Sequence, residues 1–167
     1  MPIYSQPGQI IVNDLTLTED VELAAAGITF TNTELGRVLG RFTFSAGGST
    51  LINQRGGYIG SPVGVDPFTF VAIVGSDGND RVIDSGNIQG IVRLGGGDDV
   101  LITSSSVSTH ANSVFGAELG AGNDLLRMEG SSAPSFVYAT GGDGIDTFEF
   151  AADVAQINGS NLTGFEI

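Results

Sequence analysis

Three residue types are absent from this chain: cysteine, tryptophan and lysine. Without cysteine there is no disulfide framework and no thiol catalysis. All six basic residues are arginine, against 19 acidic residues, and the formal net charge is −13. A chain this acidic is a poor partner for nucleic acid or for an anionic membrane surface, because both are negatively charged themselves.

Long apolar runs and a standard export signal are missing as well. No stretch approaches the roughly 20 apolar residues of a membrane-spanning helix, so we expect no membrane span in this segment. Residues 1–6 lack the basic and apolar regions of a signal peptide. We therefore expect either an excerpt of a longer protein or export by another signal.

What the sequence does contain is glycine, 26 residues of it, and a recurring glycine–acidic turn. The turn occurs as GSDGND at 75–80, LGGGDD at 94–99, LGAGND at 119–124 and GGDGID at 141–146. Its last aspartates, at positions 80, 99, 124 and 146, are 19, 25 and 22 residues apart. Repeats at this spacing indicate stacked units, each of which buries its apolar face against its neighbours.

Two short strands lie between consecutive turns. Because side chains alternate between the two faces of a strand, counting from each aspartate places one apolar residue per repeat in register: Val82, Leu101, Leu126 and Phe148. The pattern predicts an all-β protein, a right-handed parallel β-helix or β-solenoid with coils of about 19–25 residues. Variable polar loops such as 103–110 and 129–135 would absorb the differences in coil length.

The whole chain, residues 1–167, is predicted to be a single β-solenoid domain. Residues 1–74 carry short β-rich runs separated by glycines but no acidic turn, and we interpret them as degenerate N-terminal coils. Residues 75–167 are the coils with GxGxD-type turns. The sequence stops in mid-pattern at 164–167, which favours an excerpt of a larger secreted protein, and uncapped ends of this kind could associate end to end.

The turns carry a resemblance to known secreted proteins. GSDGNDRVI and GGDGIDTFE resemble the calcium-binding nonapeptide G-G-x-G-x-D-x-U-x of RTX, or haemolysin-type, proteins. One turn per long coil, and runs such as GAELGAGNDLLRMEGS and the closing NLTGFE, are more similar to the passenger β-helix of bacterial autotransporters, the type V secretion proteins. The resemblance covers residues 71–167.

The autotransporter resemblance implies a non-enzymatic segment of a bacterial surface or secreted protein, acting as a structural stalk or adhesin-type passenger. It also implies an extracellular or outer-membrane-surface location, with a glycan or protein of a host or cell surface as partner. The alternative is an RTX-like module that binds calcium, folds on secretion and is attached to a secreted enzyme or toxin.

Stacked turns would bring their carboxylates about 4.8 Å apart, where like charges repel unless a cation separates them. Calcium accepts carboxylates and backbone carbonyls as ligands. The candidate ligands are Asp77, Asp80, Asp98, Asp99, Asp124, Asp143 and Asp146, with the carbonyls of Gly78, Gly97, Gly122 and Gly144. A metal-free turn stays open, because such side chains also bind the local backbone and Asn79 and Asn123 could form a neutral ladder.

We expect no enzymatic activity and assign no catalytic residue. The lone histidine, His110, lies in a serine-rich stretch without a nucleophile elbow. Paired carboxylates could act on a polysaccharide, but the turns already account for most of the acids. Arg93, Glu118 and Arg127, on outward strand positions, are interpreted as solvated cross-strand charges.

Overall fold

A computed structural model describes residues 1–66, 68–104, 115–129, 136–150 and 161–166 of the chain. Within these residues the protein is all β, without a helix. No described segment is therefore a helix that could cross a membrane.

The strands are short and are separated by tight turns. In chain order they are β1 (Ile3–Tyr4), β2 (Ile10–Asn13), β3 (Thr16–Leu17), β4 (Val21–Leu23), β5 (Thr29–Asn32), β6 (Arg37–Leu39), β7 (Phe42–Phe44), β8 (Thr50–Asn53), β9 (Tyr58–Gly60), β10 (Val71–Val74), β11 (Arg81–Asp84), β12 (Asn87–Gly96), β13 (Val100–Ser104), β14 (Phe115–Ala121), β15 (Leu125–Glu129), β16 (Phe136–Asp143), β17 (Thr147–Phe150) and β18 (Asn161–Thr163).

These strands stack in parallel as a β-solenoid of about six turns, which confirms the predicted fold class. Sheet A contains β1, β4, β7, β10, residues 90–96 of β12, β14, β16 and β18. Sheet B contains β2, β5, β8, β11, β13, β15 and β17. A smaller sheet C, of β3, β6, β9 and residues 87–89 of β12, forms a third side in the N-terminal coils.

The register of sheet B gives the length of each coil. Its first residues pair in turn as Ile10, Thr29, Thr50, Arg81, Val100, Leu125 and Thr147, so the coils span 19, 21, 31, 19, 25 and 22 residues. The last three values equal the spacings of the acidic turns. The 31-residue coil is longer than the predicted range because it carries the extra loop 61–70 between β9 and β10, and no acidic turn marks where it begins.

The core is a column of inward-facing side chains between the sheets. Val82, Leu101 and Leu126 are fully buried and pair in register with each other, and Phe148 follows Leu126 as predicted. In the N-terminal coils aromatic rings fill the same space. Phe30 and Phe42 meet edge to face with 5.0 Å between ring centroids, and Phe42 and Phe44 with 5.4 Å. Such geometry adds to the stabilisation from buried apolar area.

Stacked glycines form the turn into sheet B. Gly95, Gly120 and Gly142 pair in register and have φ of +102°, +116° and +119°, a region that residues with a Cβ atom avoid. A Cβ atom on Gly120 would lie 1.9 Å from the carbonyl oxygen of Gly95, and one on Gly142 would lie 1.8 Å from that of Gly120. Each glycine therefore makes room for the backbone of the neighbouring coil as well as adopting the turn.

The glycine stack predicts that Gly120→Ala destabilises the protein far more than Gly48→Ala. Both residues have positive φ, but a Cβ atom at Gly48 would meet nothing within 4 Å. We expect a cost of about 1 kcal/mol for Gly48→Ala from backbone strain alone. Gly120→Ala also forces two coils apart, and we expect a cost of about 3 kcal/mol or more. Urea unfolding of both variants measures the difference, and equal costs would contradict the role of close coil stacking.

Candidate functional site

The four aspartates that end the acidic turns lie together on one corner of the solenoid, immediately before β11, β13, β15 and β17. Their side chains point inward and are almost completely buried: Asp80, Asp99, Asp124 and Asp146 are 0–2% exposed. The structure therefore brings four of the seven candidate calcium ligands into one column. We call this column the aspartate spine.

Three carboxylates of the spine, those of Asp99, Asp124 and Asp146, accept the backbone amide of the equivalent aspartate in the preceding coil, and Asp80 accepts that of Ser49. The N–H of Asp80 donates to Oδ1 of Asp99 at 2.7 Å, Asp99 donates to Asp124 at 2.7 Å, and Asp124 donates to Asp146 at 2.9 Å. The N–H of Asp146 continues the series to Glu166 Oε2 at 2.6 Å. Charge-assisted bonds to backbone N–H groups are among the stronger hydrogen bonds in proteins, so the spine ties successive coils together.

The spine carboxylates differ in whether their second oxygen, Oδ2, has a hydrogen-bond donor. Asp80 Oδ2 accepts from the backbone N–H of Ser76 at 2.9 Å and from its hydroxyl group at 2.7 Å. The Ser76 carbonyl oxygen binds the N–H of Gly96, which places Ser76 beside Gly95 in the next coil. The stacked glycines described above thus occupy the serine position in later coils and offer no hydroxyl group. The buried Oδ2 atoms left without a hydrogen-bond partner are those of Asp99, Asp124 and Asp146.

Burial raises the pKa of three carboxyl groups of the spine, and neighbouring negative charges add to the increase for Asp99 and Asp124. Burial raises the pKa of Asp99 to about 8, and the charges of Asp124, Asp80 and Asp98 add to the increase against the opposing hydrogen bond from the Asp80 amide. Burial likewise raises the pKa of Asp80 and of Asp124. The spine therefore favours neutral carboxyl groups or a compensating positive charge.

The other three candidate ligands, Asp77, Asp98 and Asp143, are exposed outside the spine. Asp98 belongs to an outer ladder with the two predicted asparagines: its N–H donates to Asn79 Oδ1 at 2.9 Å, and its Oδ1 accepts from the N–H of Asn123 at 2.8 Å. Asn123 Oδ1 then accepts from the N–H of Ile145 at 3.1 Å. The ladder is thus mixed rather than purely of asparagines. Across the described ranges, no three acidic or histidine side chains group as they do around a metal ion.

A second buried polar column, which the sequence analysis missed, occupies the opposite end of the sheet B strands. The last residues of β2, β5, β8 and β11 are Asn13, Asn32, Asn53 and Asp84, all at most 6% exposed. Each Nδ2 group donates to the Oδ1 atom of the next residue at 2.8 Å. A sequence signal existed, since each of these four strands ends on Asn or Asp, but it lies outside the glycine–acidic turns. We call this column the asparagine ladder.

The outward charges form ion pairs on the strand faces, across strands for Arg93 with Glu118 and for Arg127 with Glu149, and within β15 for Arg127 with Glu129. Arg93 Nε donates to Glu118 Oε2 at 2.6 Å, and the Tyr138 hydroxyl group donates to the other oxygen of the same carboxylate. Arg127 lies 3.0 Å from Glu129 and 3.9 Å from Glu149. Because these side chains are largely in solvent, the pairs contribute little to stability. His110 and its serine-rich stretch lie outside the described residues.

Comparison of the chain with protein-family models, with curated proteins and with solved structures finds no match. The resemblance to autotransporter passengers and RTX repeats therefore stays one of short motifs. The parallel solenoid is compatible with a β-helix passenger, and it is the part of that resemblance which the structure supports.

The spine predicts that Asp99→Ala and Asp99→Asn differ in stability. Asp99→Ala removes the acceptor of the buried Asp80 amide, and we expect it to cost about 2–3 kcal/mol. Asp99→Asn keeps an oxygen in the Oδ1 position and puts a neutral carboxamide where the raised pKa already favours a neutral carboxyl group, so we expect a cost of less than about 1 kcal/mol. Urea unfolding at neutral pH without divalent cations measures both, and equal losses would mean that the bond to the Asp80 amide contributes nothing.

Proposed function

We propose that this chain is a non-enzymatic, extracellular β-solenoid segment of a bacterial surface or secreted protein, serving as a structural stalk or adhesin-type passenger. The observation that carries the proposal is that the buried aspartates hydrogen-bond to the backbone. In the aspartate spine, Oδ1 of each carboxylate holds the backbone of the preceding coil, from Asp80 through Asp146. These residues are therefore committed to architecture rather than displayed to a substrate.

A stalk must resist bending and separation of its coils, and the hydrogen bonds along the axis serve that purpose. Three sets of bonds run along the stack: the parallel sheets, the aspartate spine and the asparagine ladder. In a solenoid each coil contacts only its neighbours, so stability is the sum of such interfaces. The two buried columns add polar bonds to interfaces that apolar side chains already hold, and they fix the register of each coil.

An adhesin also needs an accessible surface, and the loop 61–70 offers one. It projects from the 31-residue coil with Val63 100% exposed and Phe68 61% exposed. Exposed apolar side chains in a loop are a common feature of binding sites. This surface suits a protein or glycan partner of a host or cell surface. The net charge of −13 argues against nucleic acid.

The N-terminal coil supports end-to-end association as part of this proposal. Among the described strands, β1, β2 and β3 each pair with a single neighbour, so their outer edges are open. Ile10 and Val12 in this coil are 76% and 64% exposed. Open edges of this kind accept a further strand, supplied either by more coils of a longer chain or by a second molecule.

The location can be tested on cells that naturally encode the chain. Antibodies against residues 1–66 should label intact cells, or detect the chain in the culture medium, without permeabilisation. An antibody against a cytoplasmic protein serves as the control and should label only permeabilised cells. Labelling of the chain only after permeabilisation would overturn the extracellular part of the proposal.

A calcium-binding module is the second candidate, and the orphaned oxygens of the spine favour it. The Oδ2 atoms of Asp99, Asp124 and Asp146 are buried acceptors without a donor, and carboxylate oxygen is the ligand that calcium prefers. These atoms fit part of a calcium site. The remaining oxygens, of the six to eight that calcium takes, would have to come from turn carbonyls and from the exposed Asp98 and Asp143. Bound calcium would neutralise the buried charges.

Thermal unfolding with calcium and with chelator separates the two candidates. If calcium binds only the folded spine, an excess of 100 times its dissociation constant should stabilise the protein by about 2.7 kcal/mol, and Asp99→Asn should reduce that gain. Asp66→Asn, in the exposed loop, is the matched control and should leave it unchanged. A melting temperature that is the same in calcium and in chelator would eliminate the calcium module and leave the metal-free stalk.

A further inference from the structure

Asp84 is the residue at which the asparagine ladder ends. It is the last rung of the ladder and its only carboxyl group: Asn13, Asn32 and Asn53 precede it, and Thr103 takes the equivalent position in the next coil. Asp84 therefore joins the coils of the asparagine ladder to the coils that follow.

Among the described residues, the hydrogen-bond partners of the Asp84 carboxyl group are groups that do not titrate. Its Oδ1 atom accepts from Asn53 Nδ2 of β8 at 2.8 Å and from the N–H of Gly86 in the following turn at 3.1 Å. The side chain of Thr103, on β13, is also hydrogen-bonded to the carboxyl group. No charged side chain is among the groups that set its pKa, and the residue is only 6% exposed. In the part of the chain that the structure describes, an ionised Asp84 is thus a buried charge without a counter-ion.

We propose that Asp84 is a proton-dependent junction between the two halves of the solenoid. With its carboxyl group protonated, Asp84 is a neutral rung that matches the asparagines below it. Ionisation places a charge among neutral groups and weakens the attachment of β11 to the coil before it.

The direction of the pH effect follows from burial. Burial raises the pKa of Asp84 from 3.8 to about 6, against the opposing bonds from Asn53, Gly86 and Thr103. The folded state therefore keeps this proton to a higher pH than the unfolded chain does. Its contribution to stability is complete below about pH 4, falls as the pH rises to about 6, and stays constant above that. The junction is strongest in acid, the reverse of a carboxylate held by an arginine.

The test is the difference in unfolding equilibrium between the wild-type chain and Asp84→Asn as a function of pH. Subtracting the two profiles cancels the titration of the spine, which both proteins share. The asparagine should stabilise the protein increasingly between pH 4 and 6, by about tenfold per pH unit and on the order of 100-fold in total. Asp14→Asn, beside the ladder but exposed, is the control and should give a flat difference.

A flat difference for Asp84→Asn would overturn the proposal. Thr103→Val provides an independent test that does not depend on how that variant folds. It removes one of the bonds that favour the ionised carboxyl group, so the pH at which the wild-type junction weakens should move upward. An unchanged midpoint would also contradict the proposal.

Hydrogen exchange shows whether the effect is local. The N–H groups of Ser85 and Asn87 bond to Asn53 and Gly57 in the preceding coil, at 2.8 and 2.9 Å. After correction for the intrinsic effect of pH, their protection should be lower at pH 7.5 than at pH 5 in the wild type, and equal at both in Asp84→Asn. Protection that falls equally throughout the solenoid would indicate general destabilisation and would overturn the assignment of the junction to this corner.

Discussion

Strict register along the axis is the constraint on which the rest of this protein depends. In a parallel stack each residue lies directly on the equivalent residue of the next coil. A residue type is therefore tolerated only if it can pack against, or hydrogen-bond to, a residue of the same or a similar type. Aliphatic residues meet this condition easily, as Leu101 on Leu126 shows. Glycines that adopt positive φ meet it only because no side chain separates their backbones, as for Gly95 and Gly120.

Polar residues satisfy the same constraint in two ways. A carboxamide both donates and accepts, so Asn32 can bond to Asn53 through side chains alone. An ionised carboxylate cannot donate, and a column of aspartates can stack only if something else supplies the donor. In the spine that donor is the backbone N–H, as from Asp99 to Asp124. Stacking carboxylates in this way leaves the second oxygens of Asp99, Asp124 and Asp146 without partners, and burial raises the pKa of Asp99 and Asp124.

The two columns divide the solenoid into halves with different chemistry. The N-terminal coils hold the neutral asparagine ladder and a core with aromatic rings. The later coils carry the aspartate spine at their corner, and the one carboxyl group of the asparagine ladder, Asp84, lies where the two sets of coils meet. The proposed functions follow from this division. In a stalk, the aspartate spine and the asparagine ladder both hold successive coils together along the axis. A calcium module would use only the spine, where the carboxyl groups lack a counter-charge.

The sequence by itself determined the fold class, the coil lengths between the acidic turns and the inward register from Val82 to Phe148, because strand alternation and repeat spacing are local properties. It also grouped the seven aspartates as one set. Only the tertiary structure separated the buried spine from the exposed Asp77, Asp98 and Asp143, because burial depends on where a turn sits against the next coil. The 31-residue coil and the asparagine ladder likewise needed the stack, since they arise from contacts between residues 19 to 31 positions apart.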